Sequence, residues 1–234
     1  MSAVFRKEVT TYFNTMIGYV YMGVFLFFSG LLFNMKNINE GSASISELFG
    51  SLFFVLILLT PFLTMRLMAE EKKTKTDQML LTSPVPVRSI VLGKYFAAVF
   101  VLAMSMAATL LYVLIIAIFS SPYFGEILLG YVGYLLLGGV CISIGLFISS
   151  IMENQLSAVL ITFVVLLLLW MPSLISVNDS VISSVLGVLS IFSNYAPFAR
   201  GILSISSVLY MLSFSFVFLM LTVVMTERRR WGKG

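Results

Sequence analysis

Glu70–Val87 reads EEKKTKTDQMLLTSPVPV. Two acids and three lysines fall within its first six residues; Met79, Leu80 and Leu81 follow, then Pro84 and Pro86. The flanks are almost bare of charge: Leu48–Met68 before it and Ile90–Phe119 after it are long apolar runs. Runs of about 20 apolar residues match the ~30 Å hydrocarbon core of a bilayer. The charged stretch is therefore where the chain leaves lipid and turns back, and the fold class follows from it.

Composition agrees. Of the 234 residues, 60% are hydrophobic and 10% charged, whereas a soluble domain carries about a quarter charged residues. Six stretches are long and apolar enough to span: about Gly18–Phe33, Leu48–Met68, Ile90–Phe119, Ile127–Ile151, Leu156–Val177 and Ser207–Thr226. Backbone groups in lipid have no water to bond, so these stretches are helices. The expected fold is an all-α integral membrane protein, one domain over residues 1–234. The third stretch is longer than a span needs and is expected to tilt or to begin at the interface. Pro61 and Pro172 are expected to break or kink their helices, with Pro172 and Trp170 marking an interface end.

Basic residues set the orientation, because they concentrate in cytoplasmic loops. With both termini inside, the cytoplasmic set is Arg6, Lys7, Arg66, Lys72, Lys73, Lys75, Arg88, Lys94, Arg228, Arg229, Arg230 and Lys233; only Lys36 and Arg200 of the 14 fall outside. This split absorbs the net charge of +4 and removes the reason to expect nucleic acid as a partner. The opening stretch is then cytoplasmic.

Residues 1–16 read as an amphipathic helix lying in the headgroup plane. Val4, Phe5, Val9, Tyr12, Phe13 and Met16 recur at helical spacing, with Lys7, Glu8 and Thr11 between them. Such a helix either anchors the first span or braces it against a cytoplasmic partner. Residues 178–206 are too long for a tight turn. Their apolar text is broken by Gly187, Pro197 and Gly201, which predicts a pair of short helices re-entering the outer leaflet; a seventh span would put the triple arginine outside. In the fourth span Gly138, Cys141, Gly145 and Ser149 share one face, a stripe that lets helices approach closely, within the chain or at a subunit seam.

Several functions are excluded. None of the ten acids, and no lysine or arginine, lies mid-span, whereas ion-coupled carriers keep ionisable groups at depth for function. There is no histidine and a single cysteine, Cys141, so neither a His-based metal site nor a thiol–imidazole pair can form. No G-x-x-x-x-G-K-[ST] phosphate loop occurs. The start, MSAVFRKEVTTYF, does not read as a signal peptide. The chain is not expected to be an enzyme; energy for any work is expected from a separate subunit.

EEKKTKTDQMLLTSPVPVRSIVLGKYFAA resembles the cytoplasmic loop of type-2 ABC exporter permeases, and is most similar to the gliding-motility and copper-site-maturation subgroup. The resemblance rests on Glu70, Glu71, Thr76, Leu80, Leu81, Thr82, Pro84, Gly93 and Lys94. The N-terminal stretch and PFARGILSISSVLYMLSFSFVFLMLTVVMTERRRW are similar to the family's first and last spans, so nearly the whole chain is covered. Lys75 stands where the family usually has glycine, Gln78 where an acid is common, and Ser207 where an acid often precedes the last span.

The resemblance implies a multi-pass cell-membrane permease subunit paired with a second permease copy or homologue and a cytoplasmic ABC ATPase dimer. ATP and Mg would be bound by the ATPase, leaving no cofactor in this chain. Residues 69–87 would be the coupling loop. Its helix is charged first, with a Glu71–Lys75 pair at i, i+4 and acids suited to a helix start, and apolar last; Pro84 ends it. ATPase contact would fall to Glu70, Glu71, Thr76, Leu80, Leu81, Thr82 and Pro84. Arg200, beside the re-entrant segment, is a candidate contact for an anionic substrate head or an extracytoplasmic or auxiliary membrane partner; the bland alternative is snorkelling to headgroups. The rival to export is a membrane scaffold through which the ATPase drives an outer partner with nothing crossing.

Overall fold

The computed structural model of the chain describes residues 1–39, 46–75, 85–119, 124–174 and 190–231. Among these residues every regular element is helical. Helix α1 covers Ser2–Asn14, α2 Ile17–Phe33, α3 Ser46–Lys73, α4 Val87–Phe119, α5 Phe124–Ile151, α6 Gln155–Trp170, α7 Ile191–Ala199 and α8 Ile205–Trp231. Six of them, all but α1 and α7, are long and apolar enough to cross a membrane, as the hydropathy predicts.

α3 and α5 form the centre. About 67% of each span is buried inside the chain, against 22–33% for the other four. The exposed faces of those four carry large apolar side chains such as Phe27, Leu111, Leu160 and Phe216, which is what lipid or a second membrane subunit demands. The central helices meet through the small-residue stripe. A side chain at Gly145 would strike Thr64 of α3, while one at Gly138 would strike Leu102 of the neighbouring α4 and touch Leu56 of α3. Ser149 Oγ donates to the Met65 carbonyl at 3.2 Å and accepts from the Met68 and Ala69 amides. All four stripe residues are buried within the chain, so the stripe serves intrachain packing and the subunit-seam alternative does not hold.

Tyrosines from three other helices fasten to carbonyls of α3: Tyr134 of α5 to Leu52 at 3.1 Å, Tyr195 of α7 to Phe49 at 3.2 Å and Tyr12 of α1 to Leu63 at 2.8 Å. An aromatic body fills the apolar contact while its hydroxyl finds a polar partner.

Several expected boundaries move. α2 runs on from Phe33 into a π-helical turn, Asn34–Asn39. α3 passes through Pro61 without ending, so that proline does not break its span; Pro172 does lie where α6 gives way to a 3-10 turn, Met171–Leu174. α4 is one helix from Val87 onward, with no separate interfacial segment at its start. Between α5 and α6 the chain turns in three residues, with the Asn154 side chain capping the Leu156 amide, a common N-cap solution. Of the two short helices expected in 178–206, the second is α7; the stretch expected to hold the first, 178–189, lies outside the described residues.

The largest revision concerns the opening stretch. Glu70, Glu71, Lys72 and Lys73 are the last turn of α3 rather than the first turn of a new helix. The helix stops because Lys75 adopts a left-handed backbone with φ 58°, a conformation that favours glycine. That is the position at which the resemblance expects glycine. With Lys75 beyond the helix, the predicted helical Glu71–Lys75 pair loses its geometry. Thr76, Leu80, Leu81, Thr82 and Pro84 lie outside the described residues.

Candidate functional site: a charge cluster at the base of the charged hairpin

Two acids at a helix C-terminus oppose the helix dipole. Cations brought from three other places answer them. Lys94, two turns into α4, is 1% exposed, and its Nζ lies 2.9 Å from both Glu71 Oε1 and Glu8 Oε1. Lys7 Nζ is 3.6 Å from Glu71. Arg66, one turn earlier on α3, holds Glu70 with two nitrogens and donates to Thr15 Oγ1 at 2.9 Å. The paired fork fixes both partners' orientation.

This arrangement joins α1, α3 and α4. α1 can lie close to α4 because of Gly93: a Cβ built there would sit 3.0 Å from Val4 Cβ. Phe5 then meets Phe100 edge-on, ring centroids 5.8 Å apart, and Glu8 reaches Lys94. Tyr12 completes the face. Burial pushes its hydroxyl well above the ordinary tyrosine pKa, and the Glu8 carboxylate adds to that, so Tyr12 stays a donor to the Leu63 carbonyl. Between α1 and the end of α3 a half-open cavity of about 260 Å³ is lined by Lys7, Glu8, Thr11, Arg66, Glu71 and Thr74, among others.

Two further cations at this end close another helix. The last carbonyls of any helix lack intrahelical donors. Those of α5 are met by Lys72, which bonds the Ser150 carbonyl and reaches that of Met152 at 3.3 Å, and by Arg229, 3.4 Å from the Ile151 carbonyl. Residues that the sequence marks only as topology signals thus hold helix ends together.

At the opposite end of the bundle, α7 packs onto α5 and α3. Ile191, Tyr195, Phe198 and Ala199 are buried, and Phe198 fills the space above Gly133 of α5. Burial pushes the Tyr195 hydroxyl upward as well. α7 ends in a tight motif: the Ile202 amide donates to the Pro197 carbonyl and the Gly201 amide to that of Phe198, both at 2.9 Å, with Gly201 at φ 71°. This is the Schellman pattern. Pro197 and Gly201 therefore hold the turn, as the sequence predicts, and Arg200 between them is exposed. Gly201 also packs on Glu126, whose Cγ would lie 2.6 Å from an added Cβ.

Of the sequence-predicted coupling residues, Glu70 and Glu71 are brought into one cluster. The reading missed Glu8, Lys7, Arg66 and the role of Lys94. One signal was available: Glu8 lies four residues from both Val4 and Tyr12, on the face of α1 that points inward. A polar entry in that apolar stripe marks a buried partner.

A chain whose described residues form six helices long and apolar enough to cross a membrane, with a short helix before the first and another before the last, is of the class of multi-pass membrane proteins. The match of a family description confirms the class: the chain belongs to the ABC-2 family transporter proteins, whose pattern covers residues 7–226. It is the membrane-spanning permease component of an ABC transporter, which works with an ABC ATPase rather than being the ATPase itself. No curated protein matches the chain.

Proposed function

We propose that this permease serves an ATP-driven exporter of the gliding-motility and copper-site-maturation kind, with residues 69–87 carrying the stroke of a cytoplasmic ATPase dimer that binds ATP and Mg. Both termini and the charge cluster are then cytoplasmic, and α7 and Arg200 are extracytoplasmic. The observation that carries the reading is the cluster itself: both ends of the hairpin and α1 meet in one ion-paired unit where a subunit docked on that end would push. ATP binding would favour one arrangement of the permease by its differential affinity for it.

The centre of the chain is filled, by Tyr134, Phe25, Leu56 and Leu102 among others. A pathway therefore runs between this chain and a second permease, along apolar and hydroxyl-bearing faces suited to an amphipathic or lipid-linked substrate. Arg200 would meet that substrate's anionic head, or an outer partner, as it leaves. The filled interior also suits the second reading, a scaffold that transmits force to an extracytoplasmic partner with nothing crossing. ATP hydrolysis raised by an added amphipathic substrate supports export; hydrolysis that depends on a co-purified outer partner supports the scaffold.

The test of coupling is Leu80→Asp. The variant is expected to insert normally, yet to lose ATPase co-purification and permease-dependent ATP hydrolysis. Wild-type values for both would remove 69–87 from the coupling role. Orientation is checked by thiol labelling in a Cys141→Ala background: Lys73→Cys is expected to react only from the cytoplasm and Ile202→Cys only from outside.

A further inference from the structure

The Lys94–Glu71 ion pair closes a ring. Glu71 is in the last turn of α3 and Lys94 in the second turn of α4, so the pair spans the base of the hairpin and encloses residues 72–93. The same ammonium, 1% exposed, also holds Glu8 at 2.9 Å. A cation in this position costs desolvation and is not needed for topology, since exposed basic residues of the same end already supply that signal. Its geometry accomplishes something a solvated lysine could not: three helices are tied at one atom.

We propose that Lys94 is a positioning residue for energy coupling, a clamp that makes α1, the end of α3 and the start of α4 move as one body when the hairpin is pushed. Without it the hairpin's base can open, and a push on residues 76–84 is spent in separating α3 from α4 and lifting α1. With it, displacement of the hairpin becomes displacement of the second and third spans together with α1. Gly93 and Lys94 then act as a pair: the glycine admits α1 and the lysine fastens it. The proposal rests on the coupling role given above to the hairpin.

The experiment uses the full chain purified with its ATPase. Because Lys94→Met removes the cation that Glu8 and Glu71 share and could fail to fold, the decisive variant is Glu8→Gln/Glu71→Gln/Lys94→Met, which removes all three charges together. Spin labels on exposed positions of α1 and α4, Arg6→Cys and Arg88→Cys in a Cys141→Ala background, report the distance between these helices with and without ATP. With the clamp intact, the expected result is one narrow distance distribution, unmoved by ATP, and full permease-dependent hydrolysis. In the triple variant the distribution is expected to broaden or shift on adding ATP, and hydrolysis to fall to that of the ATPase alone. A triple variant with wild-type distances overturns the clamp, whatever its hydrolysis; one with altered distances but full hydrolysis overturns its role in coupling. Failure of the underlying reading is recognised separately, by a Leu80→Asp chain that still binds and stimulates the ATPase; the Arg6–Arg88 distances, which need no hydrolysis, then still decide the clamp.

Discussion

The two ends of this helical bundle are held by different forces. At the charged end, Lys94 sits between Glu8 and Glu71, Arg66 grips Glu70, and Lys72 and Arg229 cap α5. At the other end, α7 is held by Phe198 over Gly133, by the Tyr195 hydroxyl on the Phe49 carbonyl and by a glycine turn; Arg200, the basic residue that follows α7, is exposed. Ion pairs are directional and can be undone by a change of charge or of partner. Apolar packing has no such handle. The end that is expected to receive a stroke is built from the interaction that can be switched, and the other from the one that cannot.

The largest effect that could break this contrast is at Lys94. Lys94→Met is expected to destabilise the chain by about 3–5 kcal/mol, since losing the cation that Glu8 and Glu71 share leaves buried carboxylate charge less compensated. Adding Glu8→Gln and Glu71→Gln is expected to recover most of that loss, because well-packed neutral groups replace such clusters at little cost. Unfolding by denaturing detergent, followed by circular dichroism, measures both; absence of recovery would mean that packing rather than charge governs this end.

Phe198→Ala is the counterpart. It is expected to cost about 3–5 kcal/mol, the usual range for opening a cavity in place of a buried aromatic ring, and no change of charge nearby should restore it. The same unfolding assay decides this, with increased thiol access at Tyr195→Cys as a sign that α7 has loosened.

Smaller is Gly201→Ala. A non-glycine residue at φ 71° costs about 1–2 kcal/mol, and the added Cβ would also press on Glu126. The expected outcome is a modest loss of stability confined to the α7 end, read as faster amide exchange at Arg200–Ile202 while exchange in α1 and α4 is unchanged.

Arg200 should show the least effect on stability, within about 0.5 kcal/mol for either Arg200→Ala or Arg200→Lys, as for surface substitutions generally. Function separates the two. If its planar fork holds an anionic group through two bonds, Lys impairs transport or partner binding nearly as much as Ala. Snorkelling to headgroups predicts that Lys is tolerated. Compared at equal membrane levels, full activity of Arg200→Lys rules out the fork.

What the sequence by itself determined are the features that depend on solvent. Apolar runs of spanning length must be helices in lipid, and the spans follow from Leu48, Ile90 and their like without any knowledge of contacts. The glycine turn at Gly201 and the resemblance carried by Glu70, Glu71, Gly93 and Lys94 were legible for a similar reason: they are local patterns, readable within a few residues. The end of α3 was not. Acids ahead of a proline read as the start of a helix, because the cations that make Glu71 tolerable at a helix end lie 64 residues before it, at Lys7 on α1, and 23 after it, at Lys94. Only tertiary structure decides which charge a buried lysine meets, since pairing energy depends on distance and on exclusion of water, and neither is set until α1 has been laid against α4 at Gly93.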